Sequence, residues 1–96
     1  MLIKEIIERL YEIHAHKGYV DVNVIKIIQD KIWLDETIKD NKLSEILSVL
    51  AYDLDFYEPN AFYRKGEPSL YGEEKLLKVV ESGLSQIKEH LLNIDR

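Results

Sequence analysis

The sequence predicts an all-α protein, an antiparallel four-helix bundle with one long loop between its third and fourth helices. Three observations carry that expectation. Apolar residues recur at spacings of three and four in four separate segments. The breaks between those segments fall at Gly, Asp/Asn and Pro-containing stretches. The chain has 96 residues and no cysteine, so a single core must hold it together without disulfides or thiolate metal sites. Residues 1–96 read as one domain.

The first segment, residues 2–16, places Leu2, Ile3, Ile6, Ile7, Leu10, Ile13 and His14 on one helical face, with Lys4, Glu5, Glu8, Arg9 and Glu12 opposite. Lys17-Gly18 closes it, Gly18 supplying the left-handed conformation that a β-carbon disfavours. The second segment, VDVNVIKIIQDKIWL, begins with a strand-like alternation at Val20, Val22 and Val24. Its continuation suits a helix over 21–35, with Asp21 as N-cap. Apolar residues surround most of that cylinder, which implies burial on most sides. The turn DETIKDNK follows.

The third helix is expected over 43–57. Leu43, Ile46, Leu47, Leu50, Leu54 and Tyr57 form one face, and Glu45, Val49, Tyr52 and Phe56 the opposite one. Asp53 and Asp55 flank the two stripes. A helix apolar on two sides must bury both or leave one for something else to cover. Pro59 ends it by pushing Glu58 out of the helical region. The last helix is expected over Glu73–Asn93, buried along Leu76, Val80, Gly83, Leu84, Ile87, Leu91 and Ile94. Glu73 and Glu74 suit the positive end of its dipole. Gly83 costs about 1 kcal/mol relative to alanine in mid-helix, which a close helix crossing would explain.

Between the last two helices, residues 52–74 read YDLDFYEPNAFYRKGEPSLYGEE and hold six of the nine aromatic residues, interleaved with carboxylates. The 58–72 connection is long for so small a chain, and long loops are often functional. Phe62 and Tyr63 either fold back over Tyr52 and Phe56 as a lid, the preferred reading for the rings, or stay open for a partner. For the carboxylates the preference reverses, since covering a charge gains nothing.

The formal charge is −5, from 18 acidic and 13 basic residues. That balance argues against direct nucleic-acid binding, which needs a basic face, and suits a basic protein partner approached under electrostatic steering. Charges recur every few residues in MLIKEIIERLYEI, so the N-terminus reads as neither a signal peptide nor a membrane span. The expected location is the cytoplasm.

Catalysis is not expected. His14 and His16 are two apart and diverge by roughly 200° on a helix, so they cannot clasp one ion, and His90 adds no HxxxH or ExxH pattern. There is no Gly-rich phosphate loop and no nucleophile elbow. Asp53 and Asp55 also diverge at i,i+2. No metal, cofactor or catalytic residue is assigned.

Two stretches resemble known families. The run LSEILSVLAYDLDFYEPNAFYRKGEPSLYGEEKLLKVVESGLSQI resembles the C-terminal half of colicin D-type immunity proteins. The resemblance rests on Phe56-Tyr57-Glu58-Pro59-Asn60, on Arg64 and Tyr71, and on Leu77-Lys78-Val79-Val80-Glu81-Ser82-Gly83-Leu84. It covers about half of the chain and departs from the family at Asn60, where Asp is frequent. It implies a small acidic helical bundle that binds a cognate nuclease toxin one to one, typically an anticodon-cleaving tRNase, in a colicin-like or contact-dependent inhibition system. Carboxylates would then stand where the toxin holds phosphates. The implied toxin-binding residues are Asp53, Asp55, Tyr57, Glu58, Asn60, Tyr63, Glu67 and Tyr71, the acids as phosphate mimics and the tyrosines as ring anchors.

The stretch LYEIHAHKGYVDVNVIKIIQ also resembles the helical hairpin of sporulation phosphatases that act on response regulators. Their Ser-Gln-x-x-Asp motif would need Ser at Ile28 and Asp at Ile32, and only Gln29 fits. The chemistry is therefore missing from that likeness. The alternative to the immunity reading is another acidic helical regulator, an antitoxin-like inhibitor of a protein partner.

Overall fold

The computed structural model describes residues 2–34 and 39–94, with side chains from 3 to 92 in those spans. It is all-α, with helices α1 (Leu2–Ala15), α2 (Val22–Trp33), α3 (Asn41–Leu54), α4 (Ala61–Arg64) and α5 (Glu73–Ile94). The expected core places of Leu2 and Ile94, the end of the second helix at residue 35 and the first half of the DETIKDNK turn lie outside the described residues.

The four longer helices pack in a closed ring of neighbours, α1 on α2, α2 on α3, α3 on α5 and α5 on α1. Cross-connections fix their directions. At one end, the Tyr57 hydroxyl just after α3 donates to the Gly18 carbonyl after α1, and Gly18 lies against Glu73 at the start of α5. At the other, Lys31 of α2 pairs with Glu5 of α1 at 2.9 Å, and His90 of α5 meets Asp40 before α3 at 2.8 Å. Neighbouring helices therefore alternate in direction.

One core fills the ring. Ile6, Leu10 and Ile13 of α1, Ile28 of α2, Leu47 and Leu54 of α3, and Leu76, Val80 and Ile87 of α5 are fully or almost fully removed from solvent. Each such aliphatic side chain contributes about 1.5–3 kcal/mol through burial. The expected close crossing is present at Gly83, where a β-carbon would come within 2.8 Å of a Leu50 methyl.

Helix ends follow local chemistry. Asp21 caps α2 by accepting from the Asn23 amide at 2.8 Å, and Asp40 caps α3 by accepting from Leu43 at 3.1 Å. After α1, Gly18 N–H donates to the Ile13 carbonyl and Lys17 N–H to that of His14, the paired bonds of a Schellman close. The left-handed C′ residue in that close is Lys17, at φ 54°. Gly18 follows at φ 86°, and a β-carbon there would sit 2.6 Å from the Glu73 carbonyl oxygen. The glycine is thus needed for the approach of α5 as well as for its own conformation.

Three features differ from expectation. α3 begins two residues earlier than expected, because Asp40 supplies a cap, and ends at Leu54 rather than at 57. Its last amides, Asp55, Phe56 and Tyr57, bond three residues back, tightening the turn before Tyr57 leaves the helix. The 58–72 connection is not wholly irregular, since Asn60 caps the single turn α4 through its bond from the Phe62 amide at 2.9 Å. Burial of α2 on most sides is also overturned. Ile25, Ile28, Gln29 and Ile32 face the core, while Val22, Ile27, Trp33 and Leu34 are exposed. A four-helix ring offers each member two neighbours, and that leaves one whole side of α2 in solvent.

Candidate functional site

The site is built on the pairing of Tyr57 with Tyr71. These two residues form an isolated parallel β-bridge, in which Glu58 N–H donates to the Tyr71 carbonyl at 2.9 Å and Tyr71 N–H to that of Phe56 at 3.0 Å. The rings lie 6.3 Å apart, both residues are 8% exposed, and the Tyr71 hydroxyl donates to the Asp53 carbonyl. Burial pushes the Tyr71 phenol well above its usual range, and the nearby carboxylates of Asp53 and Asp55 push it further. Burial also raises Tyr57, with Glu73 the next cause.

The bridge closes the base of an Ω-like loop and fixes where its tip projects. Within the loop, Glu58 Oε2 accepts from the Asn60 amide at 3.0 Å, and Glu67 N–H donates to the Arg64 carbonyl at 3.2 Å. The Arg64 guanidinium lies over Gly72, where a β-carbon would displace the end of the arginine side chain.

The tip is open. Phe62 is 73% and Tyr63 62% exposed, their rings edge to face at 5.9 Å. Tyr52 is 64% exposed and, among the described residues, stacks edge to face on half-buried Phe56, at 5.1 Å. A lid of Phe62 and Tyr63 over Tyr52 and Phe56, the preferred sequence reading, is therefore absent. Val49, Tyr52 and Phe56 instead leave an apolar stripe along the outer face of α3.

The eight sequence-derived positions divide accordingly. Tyr57 and Tyr71 are corrected, because rings buried in the core cannot anchor a partner. Asn60 serves as the cap of α4 while remaining exposed. Asp55, Tyr63 and Glu67 are exposed, and Asp53 and Glu58 half-buried. Among the described residues, no Lys, Arg or His forms an ion pair with Asp53, Asp55, Glu58 or Glu67.

The carboxylates are not one cluster. Asp53 lines a groove of about 820 Å³ between α3 and α5 with Arg64, Lys75 and Lys78. Asp55, two residues on, lines a groove of about 480 Å³ between α2 and α3 with Gln29, Asp30 and Trp33. The two acids straddle the apolar stripe. Sequence reasoning missed Gln29, Asp30 and Trp33 because an apolar pattern all round α2 hid which side is solvent. Their spacing, 29-30-33, was the available signal.

Elsewhere, carboxylates meet two of the three histidines. His14 meets Glu81 at 3.2 Å and His90 meets Asp40. The contact with His90, then the bond from Leu43, lowers the Asp40 carboxyl. Among the described residues, no group of three or more His, Asp or Glu side chains is arranged to hold a metal ion, and no helix is long and apolar enough to cross a membrane. Comparison with models of protein families, with curated proteins and with solved structures finds no match to this chain.

Proposed function

We propose that this chain is an immunity protein, an antiparallel four-helix bundle that acts in the cytoplasm by binding a basic nuclease toxin, a tRNase by the resemblance of its C-terminal half, in a one-to-one complex. The observation that carries the reading is the open surface at the end of α3. There the apolar stripe of Val49, Tyr52 and Phe56, followed in the chain by the exposed pair Phe62 and Tyr63, is bordered by Asp53, Asp55 and Glu58, none of which is ion-paired among the described residues. Carboxylates without an ion pair among the described residues can pair with cations of a partner. Rings give contact area at low entropic cost, and acids beside them select a basic surface. Close charge pairs between a nuclease and its protein inhibitor can couple by about 1.5–7 kcal/mol, so a few such contacts suffice for tight binding.

Because Asp53 and Asp55 lie on opposite sides of the stripe, the mode that fits best is a ridge of the toxin laid along α3 with basic side chains on both flanks. Co-expression tests the function. A host carrying the nuclease domain encoded immediately upstream should survive only with this protein present. Survival that ignores the protein, or death despite it, would end the reading. In the same assay, Asp53→Asn, Asp55→Asn and Glu58→Gln combined should abolish protection while leaving the melting temperature unchanged. A parallel fall of both would make the acids structural.

A further inference from the structure

We infer that the groove between α2 and the end of α3 is a receptor for an arginine side chain. Gln29 is buried at 7% exposure, in a position where an amide must satisfy its hydrogen bonds or destabilise the fold. Its Nε2 donates at 3.2 Å both to the Ala51 carbonyl and to Asp55 Oδ1. That leaves Gln29 Oε1, and the second oxygen of Asp55, without a donor among the described residues. Gln29 thus holds Asp55 by one oxygen, and the groove that both residues line keeps two further acceptors, one on each of them.

A guanidinium carries five donors in a rigid planar fork and pairs with two neighbouring acceptors at once, whereas an ammonium acts as a point charge. The apolar edges of the groove are Val22 and half-exposed Trp33, an indole being the aromatic surface on which a guanidinium stacks best. Asp30 adds a second carboxylate and Lys26 an opposing charge, so Asp55 is the decisive group. The source of the arginine rests on the proposed reading, a basic protein partner; the receptor itself does not.

Trp33 is the only tryptophan, so its fluorescence reports this groove alone. Titration with N-acetyl-arginine amide should give a saturable change, and the neutral citrulline analogue should give none. Asp55→Asn, checked by circular dichroism for an unchanged fold, should weaken binding about tenfold or more, the scale of one hydrogen bond to a charged group. Lys26→Gln should tighten it. Equal responses to the two probes, full affinity in folded Asp55→Asn, or unchanged or weaker binding in Lys26→Gln would overturn the assignment. No toxin enters this experiment, so its failure leaves the survival assay standing, and failure of that assay leaves the receptor standing.

Discussion

Tyr57 and Tyr71 on one side, and Phe62 and Tyr63 on the other, come from the same fifteen-residue stretch and have the same chemical character, yet they serve opposite purposes. The first pair closes a bridge, donates its hydroxyls to backbone carbonyls and sits in the core. The second pair lies on a capped single turn and is mostly in solvent. An exposed aromatic tip on a loop of this length would have no fixed position if its base were loose. Burying one pair of rings is what makes it possible to present the other, and composition alone cannot separate the two roles.

The sharpest way to break this comparison is to truncate one ring from each pair. Tyr71→Ala should cost about 3–5 kcal/mol in urea denaturation, because it removes a buried ring and the bond to Asp53. Tyr63→Ala should stay within about 0.5 kcal/mol of the parent. Similar costs would mean that tip and base are one structural unit. The glycines repeat the test on a smaller scale. Gly18→Ala forces a β-carbon onto the Glu73 carbonyl at positive φ and should lose roughly 1–3 kcal/mol. Gly66→Ala meets nothing within 4 Å at the tip and should be neutral or gain up to about 1 kcal/mol, read from the same denaturation midpoints.

Alkaline titration sharpens the comparison without truncation. The phenols of Tyr57 and Tyr71 are raised above their ordinary value of 10.0. Their neutral forms therefore stabilise the fold below that pH, and the stability is lost as pH climbs through the folded values. Ultraviolet absorbance should show a late tyrosine component coupled to unfolding, and Tyr71→Phe should reduce that component. The smallest effect belongs to Asp40, at the opposite end of the molecule. Its carboxyl is lowered from 3.8, so its contribution is complete above that pH and fades as pH falls through the lowered folded value. Asp40→Asn keeps the cap and should raise the acid-unfolding midpoint slightly, with no change at the loop. A change in the Tyr63 environment on that substitution would join the two ends.

Much of the architecture was legible in the sequence because helical periodicity is a local signal. The stripes of α1, α3 and α5, the Asp21 cap and the close contact at Gly83 all follow from residue spacing. What was not legible depends on contacts between segments distant in the chain. Tyr57 continues the stripe of α3 perfectly well, and only its pairing with Tyr71 takes it out of the helix. α2 is apolar nearly all round, and only the number of its neighbours decides that Trp33 faces water and Gln29 the core. At the candidate site, the divergence of Asp53 and Asp55 followed from helical geometry. The burial of Tyr57 and Tyr71 did not, since a tyrosine beside a carboxylate suits a surface anchor as well as a core staple.

The proposed function requires the open acidic and aromatic surface at the end of α3 to engage a basic protein through charges not ion-paired within the described part of the chain. Isothermal titration of the upstream nuclease domain, with the parent chain and with the combined Asp53→Asn, Asp55→Asn and Glu58→Gln variant, tests it most directly. Binding should be one to one, weaken with salt, and fall by about a hundredfold or more in the variant at an unchanged melting temperature. Equal affinity for parent and variant, or no binding by either, would contradict it.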